Sequence, residues 1–213
     1  MDSLISSLRS FNYQEPVLMA IKSVDRGIFS NSPLAYDLHS PAPIHPQVNM
    51  TAADLHALAL SNIYQRAPSD PHHILDVGTG TGYIATVFSK LYPQARVLGI
   101  DILPELINAA KDIHQQHFSA ANISFENTNV YDLKSHSFDI IHGGATIIKG
   151  NVDPILKLLA PGGIMIFPIK NANGFEELKL WTKDSHGTVN GPLSLANVIY
   201  TPLLPSNHQS TST

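Results

Sequence analysis

Apolar residues of the N-terminal quarter repeat with helical spacing. Leu4, Ile5 and Leu8 fall on one face of a predicted helix over residues 2–11, and residues 15–24 predict a second short helix. Four prolines then interrupt the pattern between residues 30 and 46. Because proline fixes φ and lacks an N–H group, this stretch predicts an extended arm over the surface, without regular structure.

Helical spacing returns at Thr51, which is a natural N-cap for the next helix. The inward positions of that helix are Leu55, Leu58, Ala59 and Ile63. A hydroxyl in this position would satisfy one of the free N–H groups of the first turn. Thr51 therefore predicts where the helix begins.

From residue 73 onward, short runs rich in Val, Ile and Leu alternate with amphipathic runs. Strands buried on both faces and followed by helices are typical of a parallel sheet covered on each side. We therefore predict an α/β fold with a Rossmann-like, doubly wound, mostly parallel sheet, preceded by N-terminal helices and followed by an antiparallel extension. The runs are HILDVG, YIATVFSKLY, ARVLGID, PELINAAKDIHQQH, ISFENTNV, FDIIHGG, VDPILKLL, GIMIFPI, FEELKLWTKD and GTVNGPLSLANVIYTPLL.

A chain of 213 residues with 43% hydrophobic residues can bury one such core. We predict a single domain, 1–213, with an N-terminal helical and arm region to residue 70. A cofactor-binding core follows over 71–170, then C-terminal strands over 171–204 and a polar tail over 205–213.

Charge and composition limit the partners. The net charge is −4, from 13 basic and 17 acidic residues, and there is no basic block that would neutralise phosphates. No apolar run approaches the roughly 20 residues that span a bilayer. Cysteine is absent, which fits a reducing compartment. We expect a cytoplasmic monomer that binds neither nucleic acid nor membrane.

The most informative motif is the glycine turn Asp76-Val77-Gly78-Thr79-Gly80-Thr81-Gly82 between a predicted strand and a helix. Glycine allows a sharp turn and the close approach of a ligand. The spacing G-x-G-x-G differs from the dinucleotide fingerprint, and the P-loop lysine is missing. Asp76 would repel a pyrophosphate but suits a cationic group, such as the amino group of S-adenosylmethionine.

Two further anchors follow the next strands. Asp101 ends the predicted strand RVLGID, where a carboxylate can accept both hydroxyls of a ribose. Ile102 follows it in the predicted cofactor site. Asn129 and Val130, after the third strand, are expected to meet the adenine edge.

With these residues in place, the chain resembles the protein-L-isoaspartate (D-aspartate) O-methyltransferase family over nearly its full length. The resemblance implies a methyltransferase that uses S-adenosylmethionine on the carboxylate of L-isoaspartyl residues in proteins or peptides. It also implies cofactor contacts at 76–82, 101 and 129–130, and a match of Gln209 to a C-terminal glutamine. The segments that carry it are VDRGIF, AYD, HALAL, LDVGTGTGYIA, GIDILPELI, FDIIHGGA, LLAPGGIMIFPI and NVIYTPL.

The sequence departs from the family where the methyl acceptor would bind. The family segment T-I-S-A-P-H, whose serine is usually assigned to catalysis, is here N-M-T-A-A-D over 49–54. Thr51 keeps the hydroxyl, and Asp54 replaces the family's histidine. Asn129 replaces an aspartate, and residues 146–148 replace an alanine- and proline-rich loop of the substrate pocket. We assign Thr51 and Asp54 as candidate catalytic residues.

Three functions remain open: a methyltransferase for isoaspartyl carboxylates, a methyltransferase for a different peptide or small molecule, and a cofactor-binding protein without catalysis. An ionised carboxylate acceptor needs no general base, so a Thr51 hydroxyl could suffice to position it. Asp54 or His56 could instead act as a base on a hydroxyl or amine, although positions two apart on a helix share a face poorly. The third alternative is a cofactor-binding homologue without catalysis.

A metal site is not predicted. His114 and His117 lie three positions apart on a predicted helix, but no HExxH motif accompanies them. We interpret them as residues of a solvated helix face.

Overall fold

The computed structural model describes residues 1–118, 122–134, 137–148 and 152–204. The predicted polar tail and Gln209 lie outside the described residues. The helices and strands are α1 (Asp2–Arg9), α2 (Glu15–Lys22), α3 (Ala53–Arg66), α4 (Tyr83–Leu91), α5 (Pro104–His117) and α6 (Asp153–Lys157), and β1 (Ala42–His45), β2 (Val48–Met50), β3 (His73–Val77), β4 (Arg96–Asp101), β5 (Ile123–Asn127), β6 (Phe138–Gly143), β7 (Leu159–Lys170), β8 (Glu176–Lys183) and β9 (Val189–Val198).

Seven strands form one sheet in the order β5-β4-β3-β6-β7-β8-β9. The strands from β3 to β7 run parallel, and β8 and β9 add antiparallel partners at one edge. The predicted fold class is confirmed. Because the chain winds away from β3 in both directions, the carboxyl ends of β3, β4 and β6 border a crevice where such sheets bind ligands.

Alternate residues of the strands enter two different apolar layers. Ile74 and Ile140 pack into the layer that contains helices α1 to α5, whereas Leu75 and Ile141 pack into the layer that contains α6. Both faces of the parallel strands are therefore buried. This explains why their sequences are continuous apolar runs rather than alternating ones.

The proline-rich arm is more regular than predicted. A 3-10 helix spans Pro33–Tyr36, and β1 pairs with β2 in a separate two-stranded sheet. Pro33 stands in the first turn of its helix, where a missing N–H group costs nothing. The Ser30 hydroxyl donates to the Pro43 carbonyl at 2.7 Å and holds the arm against β1. The prediction of no regular structure was wrong.

The predicted N-cap was also wrong. Helix α3 begins at Ala53, and its N-cap is Ala52, which has no side-chain hydrogen bond to the first turn. Ala59 and Ile63 are buried as predicted, but Leu55 and Leu58 are only half-buried. Inward positions at His56, Ala57 and Leu60 complete the buried face instead. Thr51 is thus free of a capping role.

No described helix is both long enough and apolar enough to cross a membrane.

Candidate active site

The glycine turn connects β3 to α4 at the carboxyl edge of the sheet. Gly78, Gly80 and Gly82 have φ values of +70°, +58° and +91°, which other residues rarely adopt. A Cβ at Gly78 would approach the Ala145 Cβ to 3.3 Å, and one at Gly80 would approach Ile44 Cδ1 to 2.8 Å. The turn is therefore closed in by the arm on one side and by the segment after β6 on the other.

Hydrogen bonds fix the turn to the neighbouring strand. The Gly78 and Thr79 amides donate to the Ile100 carbonyl at 2.9 and 3.0 Å. The Gly80 amide donates to Asp101 Oδ2 at 3.0 Å. The backbone of the turn is thereby set before any ligand binds.

Asp101 lies at the end of β4 and exposes 8% of its surface. Its Oδ1 accepts from the Leu103 amide at 3.0 Å. Burial raises the pKa of this carboxyl group above its usual value, and the backbone amides of Leu103, Gly80 and Ile102 oppose that shift. The predicted ribose anchor is thus a preset acceptor on the crevice wall.

Asp76 is the most deeply buried carboxylate of the crevice, with only 1% of its surface exposed. Its Oδ2 accepts from the Thr79 hydroxyl at 2.7 Å, and its Oδ1 lies 2.7 Å from His142 Nδ1. Among the described residues, His142 is the one basic side chain within 4 Å of this carboxylate. The carboxylate therefore has no permanently charged cation beside it.

A cavity of about 280 Å³ lies over the ends of β3 and β4. Four of the residues that the sequence predicts to contact the cofactor line it: Gly78, Asp101, Ile102 and Val130. Asn129 does not line it. The Asn129 amide donates to the Leu204 carbonyl at 3.0 Å, and its oxygen accepts from the Tyr131 amide at 3.1 Å.

A second, smaller cavity of about 40 Å³ continues from the first past the glycine turn. Asp76, Thr79, Gly80 and Thr81 line it, with Gly78 shared between both cavities. Gly82 lines neither cavity. It is the N-cap of α4, and a Cβ there would approach the Phe125 ring to 2.8 Å. Its predicted cofactor contact has no support from this geometry.

A third cavity, of about 860 Å³, opens on the other side of the second. Gly144 borders all three cavities, and Thr51 borders the second and the third. Thr51 thus stands at the boundary between a small polar chamber and a large open one. That position suits a group that contacts a methyl acceptor.

The buried side chain of Arg26 fixes the backbone at Thr51. It is fully buried, and it donates to the Ala35 carbonyl at 2.6 Å and to the Thr51 carbonyl at 2.7 Å. Its Nη1 lies 2.9 Å from His56 Nδ1, and its guanidinium lies over the Tyr83 ring at 4.7 Å. One side chain therefore joins the arm, the Thr51 segment and helix α3.

His56 is poorly suited to act as a base. Burial, together with the nearby Arg26 and His142, lowers the pKa of this imidazole well below its usual value. Arginine can only donate hydrogen bonds, so the Nδ1 lone pair of His56 is already used. The alternative of a base-assisted reaction receives no support from this residue.

Asp54 lies one layer behind the third cavity. Its Oδ2 is 2.6 Å from His39 Nδ1, and His39 lines the cavity whereas Asp54 does not. A direct contact between this carboxylate and a molecule in the cavity is therefore not supported by the lining residues. Its predicted catalytic role stays a prediction.

Glu176 is the carboxylate that faces the third cavity directly. Its Oε2 accepts from the Thr146 hydroxyl at 2.8 Å and from the Tyr200 amide at 2.9 Å. Thr146 itself is fully buried and reaches the cavity only through this contact. Burial raises the pKa of the Tyr200 phenol, which lies beside Thr51.

Four of these residues were not assigned a role from the sequence: Arg26, His142, Glu176 and Tyr200. Each is distant along the chain from the residue it contacts, so no local motif points to it. For Arg26, His142 and Tyr200 a signal existed, because each lies in a segment that carries the family resemblance: VDRGIF, FDIIHGGA and NVIYTPL.

The described residues hold no cluster of three or more His, Cys, Asp or Glu side chains that could bind a metal ion. His114 lies against the Phe118 and Phe125 rings instead.

Comparison with known proteins decides the family. The model of the family described as Protein-L-isoaspartate(D-aspartate) O-methyltransferase matches residues 1–208. The chain belongs to this family. A protein-L-isoaspartate O-methyltransferase of Triticum aestivum is 27% identical and aligns with 98% of this chain and 93% of its own. One of Ruegeria sp. strain TM1040 is 30% identical over 85% of this chain and 83% of its own.

The fold of the family is shared with a solved structure from Plasmodium falciparum. That structure is named as a protein-L-isoaspartate O-methyltransferase in complex with S-adenosyl-L-homocysteine. The TM-score is 0.81, with 24% identity, and the match covers 95% of this chain and 97% of the other. The two chains therefore share a fold over nearly their whole lengths.

Proposed function

We propose that this protein binds S-adenosylmethionine and transfers its methyl group to the carboxylate of L-isoaspartyl residues in proteins or peptides. The observation that carries the proposal is the chain of three cavities that meet at Gly144, with Thr51 between the last two. Family membership supplies the reaction class, and the geometry gives each reactant a separate chamber.

The first two cavities fit the cofactor. In the larger one, Asp101 can accept from ribose hydroxyls, and Ile102 and Val130 offer an apolar surface to the adenine ring. In the smaller one, the buried Asp76 provides a negative charge for the amino group. Gly78 and Gly144 line both chambers, and a Cβ at Gly78 would press against Ala145 and Gly144.

The third cavity suits the acceptor. When bound, S-adenosylmethionine supplies a sulfonium methyl group that a nucleophile displaces in line. An acceptor carboxylate is ionised at neutral pH, so its oxygen forms the new bond to carbon while the electrons of the broken C–S bond remain on sulfur. No proton has to move. Thr51 can donate to the second carboxylate oxygen and hold the acceptor in line.

Labelled methyl transfer tests this function. The purified chain should transfer a labelled methyl group from S-adenosylmethionine to an L-isoaspartyl peptide, and the product ester should release labelled methanol in mild base. The same peptide with a normal aspartate is the matched control. Equal labelling of both peptides, or none of either, contradicts the proposed acceptor.

The two alternatives give different results in the same experiment. A methyltransferase for another peptide or small molecule would bind the cofactor and label a different acceptor, and the bond would be base-stable if that acceptor is a hydroxyl or an amine. A homologue without catalysis would bind the cofactor and label nothing. Glu176 on the cavity wall and Asp54 behind it are the observations that keep another acceptor under test, because both carboxylates repel an acidic group.

A further inference from the structure

The second cavity contains a buried ring nitrogen without a partner. His142 lies on β6, opposite Asp76 in the sheet register, and only 2% of its surface is exposed. Its Nδ1 lies 2.7 Å from Asp76 Oδ1, but its Nε2 has no hydrogen-bond partner in the structure. Since buried polar atoms are rarely left unpaired, this nitrogen is a candidate to form a hydrogen bond with a bound ligand.

The partner of Nδ1 determines what Nε2 can offer. An ionised carboxylate only accepts hydrogen bonds, so His142 Nδ1 carries the proton that it donates to Asp76. In the neutral ring, Nε2 is then a lone pair that points away from Asp76. The Phe88 ring packs edge-on against the imidazole and restricts its rotation. The chamber therefore presents a fixed acceptor.

The charge of the chamber selects a cation. Asp76 is almost fully buried, and its two oxygens contact a histidine and a threonine hydroxyl rather than a lysine or arginine. An uncompensated buried carboxylate is costly, and a bound ammonium group would offset that cost. An ammonium group also carries three donors, which can be directed at Asp76 and at the His142 Nε2 lone pair.

We propose that His142 Nε2 accepts a hydrogen bond from the ammonium group of the cofactor's amino-acid end, and that Asp76 orients the ring for this contact. The proposal rests on the proposed cofactor. It makes His142 a cofactor-positioning residue and gives Asp76 a second task besides its charge. The contact does not involve the sulfonium or the acceptor.

The test compares two ligands that differ only in the amino group. S-adenosylhomocysteine and its deamino analogue, in which hydrogen replaces the amino group, are titrated by calorimetry into the wild type and His142→Asn. The asparagine amide can still donate to Asp76 but leaves no acceptor at the position of Nε2. We expect His142→Asn to weaken S-adenosylhomocysteine about tenfold to a hundredfold, and to leave the affinity for the deamino analogue unchanged.

Two further variants separate this effect from misfolding. His142→Gln restores a carbonyl oxygen near the Nε2 position, so it should recover part of the lost affinity. His73→Asn makes the same change at an exposed position on the neighbouring strand and should alter neither affinity. Unchanged binding of the deamino analogue by His142→Asn would itself show that the crevice is folded.

The outcomes distinguish this inference from the proposed function. If His142→Asn binds S-adenosylhomocysteine as tightly as the wild type, or loses both ligands equally, the ammonium contact is refuted and the cofactor remains. If the wild type binds neither ligand, the proposed function is contradicted, and this inference is contradicted with it.

Discussion

The cofactor side and the acceptor side of this crevice are built in different ways. On the cofactor side, backbone amides of the glycine turn bond to a strand carbonyl and to Asp101, so the geometry follows from local chain conformation. On the acceptor side, the Thr51 segment is held by the side chain of Arg26 and lines a wide cavity together with Glu176. The cofactor side therefore depends on local backbone conformation, whereas the acceptor side depends on contacts between side chains that are distant in the sequence.

The largest expected effect is a loss of cofactor affinity. Gly78→Ala should weaken cofactor binding roughly a hundredfold, the equivalent of about 2.7 kcal/mol, because its Cβ enters the wall between the two cofactor cavities. Gly187→Ala is the matched control, since Gly187 also has a positive φ, +88°, but a Cβ there would meet nothing within 4 Å. Both variants should lose similar stability in thermal unfolding, and only the first should lose affinity by calorimetry.

Asp101→Asn should weaken the cofactor roughly thirtyfold, because hydrogen bonds from ribose hydroxyls to a charged acceptor are lost. Burial raises the pKa of Asp101, so the neutral form appears at a higher pH than for an ordinary aspartate. Wild-type affinity should therefore fall as the pH decreases through that raised pKa.

Measuring cofactor affinity as a function of pH tests the predicted direction of this change. The acid-induced loss should begin above the usual aspartate range in the wild type and be much smaller in Asp101→Asn. A wild-type affinity that rises with acid would contradict the role of the ionised carboxylate.

Thr51→Val should leave cofactor affinity intact and lower kcat/KM for an isoaspartyl peptide by about tenfold to thirtyfold, the cost of one hydrogen bond to a charged group. Thr51→Ser keeps the hydroxyl and should retain most activity. Full activity in the valine variant would show that the hydroxyl does not contact the acceptor.

Asp54→Asn should have the smallest effect, a roughly twofold to threefold decrease in KM for an isoaspartyl peptide. The substitution removes a negative charge behind the acceptor cavity, but the His39–Asp54 pair is partly exposed, and such pairs contribute little. The control is a peptide without other ionisable groups beside the acceptor, because its KM then reports only the repulsion between Asp54 and the acceptor carboxylate. An increase in KM would indicate that Asp54 supports the acceptor through His39.

The same contrast explains what could be predicted from sequence. The sheet, its antiparallel edge and the wall residues Gly78, Asp101 and Val130 follow from local patterns, because strand periodicity and turn chemistry are properties of neighbouring residues. The prediction failed at the start of α3. A threonine before a helix satisfies the N-cap pattern, but α3 begins one residue later, with Ala52 as its N-cap. The Thr51 carbonyl accepts instead from Arg26, 25 residues away.

Residues of the acceptor side were harder to find for the same reason. Glu176 borders the cavity because β8 pairs antiparallel with β7 and places it beside Tyr200 and Thr146. The contact joins positions 30 residues apart in the chain. Such pairs depend on strand register, which composition and spacing do not specify.

Arg26 also has a consequence for local opening of the protein. Its hydrogen bonds close loops of 9 and 25 residues onto one side chain, so the arm cannot detach at one contact without losing the others. The amides between Arg26 and Thr51 should therefore exchange with solvent deuterium as one cooperative unit, more slowly than an untethered loop and faster than the central strands.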